Sequence, residues 1–168
     1  MHEVFIQPSE KSTGIAKQIS PQKIVYVFDK QYKRKINTNK EKTAIMGDLK
    51  YLRKFRQSNI IRIYNGNDYF QASKSKFLDI ILMQLAAKNK LNHIFCKWMK
   101  SNNISFALPF SIFTEKTYFS TIIQNLFLCR KYRIPIIISP FLGPPYGLRA
   151  QKDIDSLINT LTSKNILM

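Results

Sequence analysis

The sequence predicts an α/β chain with a TIM-barrel-like (β/α) fold, shortened to about six β/α units. Three observations carry this. Strand-like and helix-like stretches alternate along the chain at a regular spacing. Ile134 to Ser139 is an apolar run, and a strand that is apolar on both sides is buried on both faces, as in parallel sheets covered by helices. A Pro/Gly-rich elbow bearing Tyr146, Leu148 and Arg149 then leaves the end of that strand, where α/β folds place their working loops. Right-handed crossovers would curl such units into a barrel or part of one.

Taken in order, Glu3 to Gln7 reads as a short strand and Ser9 to Ile19 as a polar helix. Ile24 to Phe28 is a clearer strand, with β-branched and aromatic residues bounded by Pro21 and Asp29. The stretch DKQYKRKINTNKEKT that follows is too polar for a core element and reads as a long exposed loop. Ile45, Leu49, Leu52 and Phe55 recur at three- and four-residue spacing and predict a helix from Thr43 to Arg56. Ile60 to Tyr64 is a strand, closed by Asn65-Gly66-Asn67-Asp68, a turn in which Gly tolerates positive φ. Asp68 or Asn67 is placed to cap a short helix, Tyr69 to Lys74. Leu78 to Met83 is the next strand. Leu91 to Lys100 is a helix whose Leu91, Ile94, Phe95, Trp98 and Met99 form an apolar stripe read as core, with His93 off it. Ile104 to Leu108 is a strand closed by Pro109, and Phe119 to Tyr132 a helix with Phe119, Ile122, Ile123, Leu126 and Cys129 inward. Ile134 to Ser139 and a helix from Gln151 to Thr162 complete the count, the helix burying Ile154, Leu157, Ile158 and Leu161.

The length of 168 residues fits one domain spanning 1–168, and 45% hydrophobic with 12% aromatic residues is ample for a packed core. Charge is the outlying quantity: 27 Lys and Arg against 10 Asp and Glu give +17. So large a surplus repels itself in a compact chain, and its usual explanation is a polyanionic partner. Nucleic acid comes first. An anionic membrane comes second and is disfavoured, because no apolar run approaches the ~18 residues of a membrane span. The start, MHEVFIQPSEKSTG, lacks the basic-then-apolar order of a signal peptide. Cys96 and Cys129 form no CxxC pair and fall on apolar sides of predicted helices, so they read as buried structural thiols in a reducing intracellular compartment.

The candidate RNA-binding residues are Lys33, Arg34, Lys35, Lys40 and Lys42 of the basic loop, Lys50, Arg53 and Lys54 on the helix after it, and Arg130, Lys131 and Arg149 near the C-terminal elbow. The plainer reading of the basic helix is a solvated charged face. Only Glu41 and Asp48 oppose the basic residues between Lys30 and Arg62, which favours a surface turned to phosphates. No metal site is expected: the chain has two histidines, His2 and His93, and neither follows a strand with a partner. The same scarcity disfavours Ser-His-Asp and Cys-His nucleophile pairs.

Three segments carry a family resemblance. Arg130, Lys131, Tyr132, Pro135, Ile138 and Ser139, followed by Pro145, Tyr146, Leu148, Arg149 and Asp153, match a pattern of the form R-K-Y-x-V/I-P-hydrophobic-I-S-S then S-P-Y-x-L-R-x-x-x-D. Upstream, LNHIFCKWMKSNNISFALPF and IIRIYNGNDYFQASKSKFLDIIL match two further segments in the same order. The chain thereby resembles ribonuclease P protein component 3, the archaeal relative of the thirty-kilodalton subunit of eukaryotic RNase P and RNase MRP. It departs from the pattern at Pro140, Phe141 and Gly147, where a second Ser and polar residues are usual.

The resemblance implies a barrel related to the PHP-type metal-dependent phosphoesterases. It also implies a non-catalytic subunit of ribonuclease P, the endonuclease that removes 5′ leaders from precursor tRNA. The implied partners are RNase P RNA, precursor tRNA, protein component 2 and the other RNase P proteins, and no membrane. The protein would bind no cofactor, the Mg²⁺ being used by the RNA component. Location would be cytoplasmic in an archaeon, nuclear in a eukaryote. Ser139, Pro145, Tyr146, Leu148, Arg149 and Asp153 form the family-motif loop. Two readings of its last pair stand: Asp153 satisfies first-turn amides while Arg149 caps or pairs with it, or Arg149 binds an RNA phosphate. Two other functions stay open. One is a small barrel-type phosphate-ester hydrolase using the elbow Gly143 to Gly147, with Asp29, Asp68 and Glu115 as its acids; the other is a generic basic RNA-binding protein.

Overall fold

The computed structural model describes residues 4–6, 8, 10–19, 24–29, 42–55, 59–84, 90–141 and 151–162. Among these residues seven strands lie in one wholly parallel sheet in chain order: β1 (Val4–Ile6), β2 (Ile24–Phe28), β3 (Lys42–Gly47), β4 (Ile61–Tyr64), β5 (Ile80–Leu82), β6 (Ser105–Pro109) and β7 (Ile136–Ser139). Helices run between them: α1 (Glu10–Ile19), α2 (Leu49–Leu52), α3 (Tyr69–Lys74), α4 (His93–Ser101), α5 (Phe119–Tyr132) and α6 (Gln151–Thr162). A sheet whose strands follow chain order has its first and last strands free to meet, and here they do. Ile6 bridges Phe141 in parallel, and the Phe141 N–H donates to the Phe5 carbonyl at 3.1 Å.

Ser139 supplies the rest of the seam. Its hydroxyl donates to the Phe5 carbonyl at 2.7 Å and accepts the Phe5 N–H at 2.9 Å. One side chain thus stands in for a rung of strand ladder that the backbone of β1 and β7 does not form. Phe141 stacks on Phe5 with ring centroids 5.4 Å apart. The chain is therefore a nearly closed seven-stranded barrel of the TIM type.

Alternation along the strands sorts the core in two. Val25 and Val27, Ala44 and Met46, and Ile80 and Leu82 join Phe5 and Phe141 in a cluster to which, among the described residues, no helix contributes, which is the barrel interior. The intervening positions, among them Ile45, Ile81, Phe106 and Ile138, face outward and pack with Met99, Ile122, Leu126 and Ile154 of the surrounding helices. The interior is thus filled with apolar side chains, as small barrels require.

The seventh strand corrects the expected six units. Thr43 to Gly47 was expected to open a helix and instead forms most of β3, buried at every one of these positions. The helical spacing of Ile45, Leu49, Leu52 and Phe55 misleads because all four enter one outer cluster, Ile45 from a strand and the others from the turn that follows. Asp48 sets the boundary: its carboxylate accepts the Tyr51 N–H at 2.8 Å, so helical geometry begins at Leu49.

Elsewhere the expected elements stand with shifted ends. Asp68 caps α3 by accepting the Gln71 N–H at 2.9 Å, and Asn92 caps α4 by accepting the Phe95 N–H at 2.8 Å. Gly66 is needed for a different reason from the expected one, since no described glycine has positive φ. A Cβ there would run into the Tyr64 ring, whose hydroxyl accepts the Asp68 N–H at 3.0 Å. Phe119 was expected inward and is 41% exposed, because the buried stripe of α5 begins two residues later, at Thr121. Ile94, read as core, is 44% exposed on the outer flank of α4, while Cys96 and Met99 face the barrel.

Candidate nucleic-acid interface

In a parallel β/α barrel every helix runs back against the strands, so helix ends and strand beginnings share one pole. That pole collects basic residues here. Lys17 lies in the last turn of α1, Lys74 of α3, Lys100 of α4, and Arg130 and Lys131 of α5. Lys42 opens β3, and Lys76 precedes β5. Two side-chain bonds hold neighbouring helix ends together. Asn102 Nδ2 donates to the Ser73 carbonyl at 2.9 Å, and Lys100 Nζ reaches the Arg133 carbonyl at 3.5 Å. Arg133 itself takes left-handed φ of 55°, and α5 closes through the Ile134 N–H donating to the Cys129 carbonyl at 2.8 Å.

Among the described residues the acid at this pole is Asp79, and it is engaged. Asp79 Oδ2 accepts both Arg62 Nε and the Arg62 backbone N–H at 2.8 Å, and Oδ1 accepts Nη2 at 3.1 Å. This pair neutralises one Arg, and among the described residues no second acid stands at this pole beside the lysines of the helix ends. Cations at helix C-termini also complement the helix dipole, each by about 0.3–1 kcal/mol. The dipole accounts for their placement, but the net surplus of +17 calls for an external anion.

The predicted candidates divide accordingly. Lys42, Arg130 and Lys131 are exposed at the basic pole. Lys50, Arg53 and Lys54 are exposed on α2 and the 3₁₀ turn after it, away from that pole at the start of the β3–β4 crossover. Lys33, Arg34, Lys35, Lys40, Pro145, Tyr146, Leu148 and Arg149 lie outside the described residues. Ser139 is 3% exposed and closes the seam, a structural task the motif did not disclose. Asp153 sits exposed in the first turn of α6, where a carboxylate suits the helix dipole.

Acids gather at the opposite pole, where strands end. Asp48 and Asp68 both serve as helix caps there; burial raises the Tyr64 hydroxyl above its ordinary pKa, the hydrogen bond from the Asp68 N–H opposes this, and the charges of Asp68 and Asp48 add to it. Asp68, a proposed acid of the hydrolase reading, is thus committed to starting α3, and Glu115 is exposed between two 3₁₀ turns.

Sequence reasoning missed an aromatic group on the outer surface. Phe70 meets Trp98 at 5.3 Å and 80°, and Phe95 at 6.3 Å and 73°. The Lys74 ammonium lies 3.7 Å from the Phe70 centroid and 4.5 Å from that of Trp98. The signal was present as Phe70 and Lys74 four apart on one helix, facing Trp98 of the next. A cation held over an exposed Phe70 and a half-buried Trp98 contributes about 0.5–1 kcal/mol, against about 1–3 kcal/mol for a stacked nucleobase.

The thiols lie in the core. Burial pushes Cys96 up to about 11 from 9.0, and Cys129 higher still, with the neighbouring Cys96 charge adding to burial. Folded values above unfolded ones mean that both thiols stabilise the fold fully below pH 9 and that the Cys96 contribution is lost as pH rises through 11, the Cys129 contribution at higher pH. Stability measured by urea titration should therefore fall by about 1.4 kcal/mol per pH unit per ionising thiol in that window. The double variant Cys96→Ala, Cys129→Ala should show a shallower slope, that of Tyr64 remaining, and an equal slope in both proteins would contradict it.

A (β/α) barrel with an apolar interior and a basic pole is the class of protein that fold and charge define. Ribonuclease P protein component 3 of Methanococcus vannielii is 31% identical over 84 residues, covering 46% of this chain and 36% of that protein. The match spans about a third of the curated relative's length, and it bears out the resemblance read from the three motif segments. Among solved structures, a chain of the cryo-EM structure of archaeal ribonuclease P with mature tRNA superposes with a TM-score of 0.72 at 17% identity, over 96% of this chain and 83% of that one. This likeness bears out the barrel fold. No protein-family model matches the chain.

Proposed function

We propose that this chain is a protein subunit of ribonuclease P, the ribonucleoprotein that removes 5′ leaders from precursor tRNA. The observation that carries the reading is the 31% identity to component 3. The likeness in fold to a chain of an archaeal RNase P assembly supports it. The physical task is electrostatic. Lys and Arg placed on phosphates release condensed counterions and screen the repulsion that keeps RNA helices apart, so the RNA reaches its active geometry at lower Mg²⁺. The RNA holds the Mg²⁺ and performs the hydrolysis; this chain acts with protein component 2 and precursor tRNA in the cytoplasm. No helix among the described residues is long and apolar enough to cross a membrane.

Reconstitution tests this. The full chain with a component 2 homologue should activate cleavage of precursor tRNA by RNase P RNA at low Mg²⁺, where either protein alone does little. RNA-free protein should show no cleavage at any Mg²⁺ concentration. Separate elution of the two proteins, with cleavage indifferent to this chain, would overturn the assignment. Metal-dependent turnover by the protein alone, lost on changing Asp29 or Asp68, would favour the hydrolase reading instead.

A further inference from the structure

We propose that Phe70, Phe95 and Trp98, with Lys74 across them, form a stacking site for an unpaired base of single-stranded RNA. The proposal rests on the reading of the chain as an RNA-associated subunit and names a class of nucleotide it would hold. Four observations support it. Phe70 is 42% exposed, although α3 is already anchored by buried Tyr69 and Ala72. Phe70 stands near perpendicular to Trp98, while Phe95 and Trp98 lie within 24° of parallel, so ring surfaces of two orientations meet in one patch.

The third observation is charge. Neither Tyr69–Lys74 nor His93–Ser101 contains an acid, whereas Lys74, Lys97 and Lys100 are exposed on them. An apolar protein surface seated here would desolvate these ammonium groups without pairing them, which is costly. A flat anion avoids that cost, and an unpaired nucleotide is both flat and anionic. The fourth observation is the position of the Lys74 ammonium over Phe70 and Trp98. It occupies the rings as a cation would in the absence of a base. On binding, the base takes the ring surface and Lys74 turns to the adjoining phosphate, an exchange favoured because base stacking outweighs an exposed cation–π contact. Lys74 and Lys100 also belong to the basic pole, so the stack would continue the path of the backbone.

Trp98 is the chain's single tryptophan, so its fluorescence reports on the site. The full chain is titrated with oligoadenylate and, as an anion without bases, with inorganic polyphosphate. Oligoadenylate should quench Trp98 and polyphosphate should bind without doing so. Phe70→Leu, conservative at an exposed position, should weaken oligoadenylate binding about tenfold and leave polyphosphate binding unchanged. Phe70→Tyr should restore it. Equal quenching by both anions, or oligoadenylate affinity unchanged in Phe70→Leu, overturns the proposal. So does quenching that arises only on adding the component 2 homologue, which would make the patch a protein contact. Activation of RNase P RNA without base-dependent quenching sinks this inference alone, whereas base-dependent quenching without activation upholds the stacking site and removes the subunit reading.

Discussion

Replacing Lys74, Lys100, Arg130 and Lys131 together with Ser should lower RNA affinity on the order of a hundredfold at physiological salt and flatten the log–log salt dependence by about 3. The expectation follows from counterion release. Each phosphate neutralised on a single strand contributes about 0.7 to the slope, and four such contacts account for the change. These residues stand at the ends of α3, α4 and α5, held side by side through Asn102 and Lys100. The alternative is that they only complete helix dipoles, at about 0.3–1 kcal/mol each. Thermal melting separates the two: a lowered midpoint with an unchanged salt slope would reduce the pole to helix-end chemistry. Lys33→Ala, Arg34→Ala and Lys35→Ala together serve as the comparison, and should flatten the slope by about 2 if the basic loop also lies on phosphates. Additive effects of the two sets would place both on one RNA path.

Much of the barrel was legible because buried parallel strands are short apolar runs and the helices between them carry one-sided stripes. IVYVF and the end of β7 stand out in this way, as do Ile122, Ile123, Leu126 and Cys129 of α5. β3 was not legible, since TAIMG runs straight into Asp48 and an amphipathic turn, and a buried strand joined to a helix mimics a longer helix. The basic pole was legible in part: Lys42, Arg130 and Lys131 are candidates that lie on it, whereas Lys17, Lys74 and Lys100 are not marked out by the sequence. Charge counting pointed to the loop and to the helix after β3, where basic residues are dense in sequence. The pole is dense only in space: one or two basic residues at the ends of α1, α3, α4 and α5, brought together by the return of each β/α unit. The spacing of the α4 aromatics reads as core, and Phe95 does pack on the core from one side; only the position of Phe70 on a neighbouring helix shows that Phe95 and Trp98 also flank a surface.

Ser139→Ala should destabilise the fold by about 2–3 kcal/mol, a large share of the ~5–15 kcal/mol typical of folded domains. The seam between β1 and β7 depends on this hydroxyl, which joins the N–H and the carbonyl of Phe5 in a buried setting. Its loss leaves the Phe5 N–H buried without its acceptor, at about 1–3 kcal/mol, and removes one of two donors from the Phe5 carbonyl. The Phe141 N–H and the stacked Phe5 and Phe141 rings remain to hold the strands, so the barrel should loosen at the seam and not unfold as a whole. Hydrogen exchange distinguishes the cases. Amides of Phe5 and Phe141 should lose protection while those of Ile63 and Ile81, in the middle of the sheet, keep theirs. The melting midpoint should fall by roughly 5–10 °C. Because the hydroxyl is buried between two strands, the salt slope of RNA binding should not change. A variant with a native midpoint and a flattened salt slope would instead make Ser139 a contact to RNA.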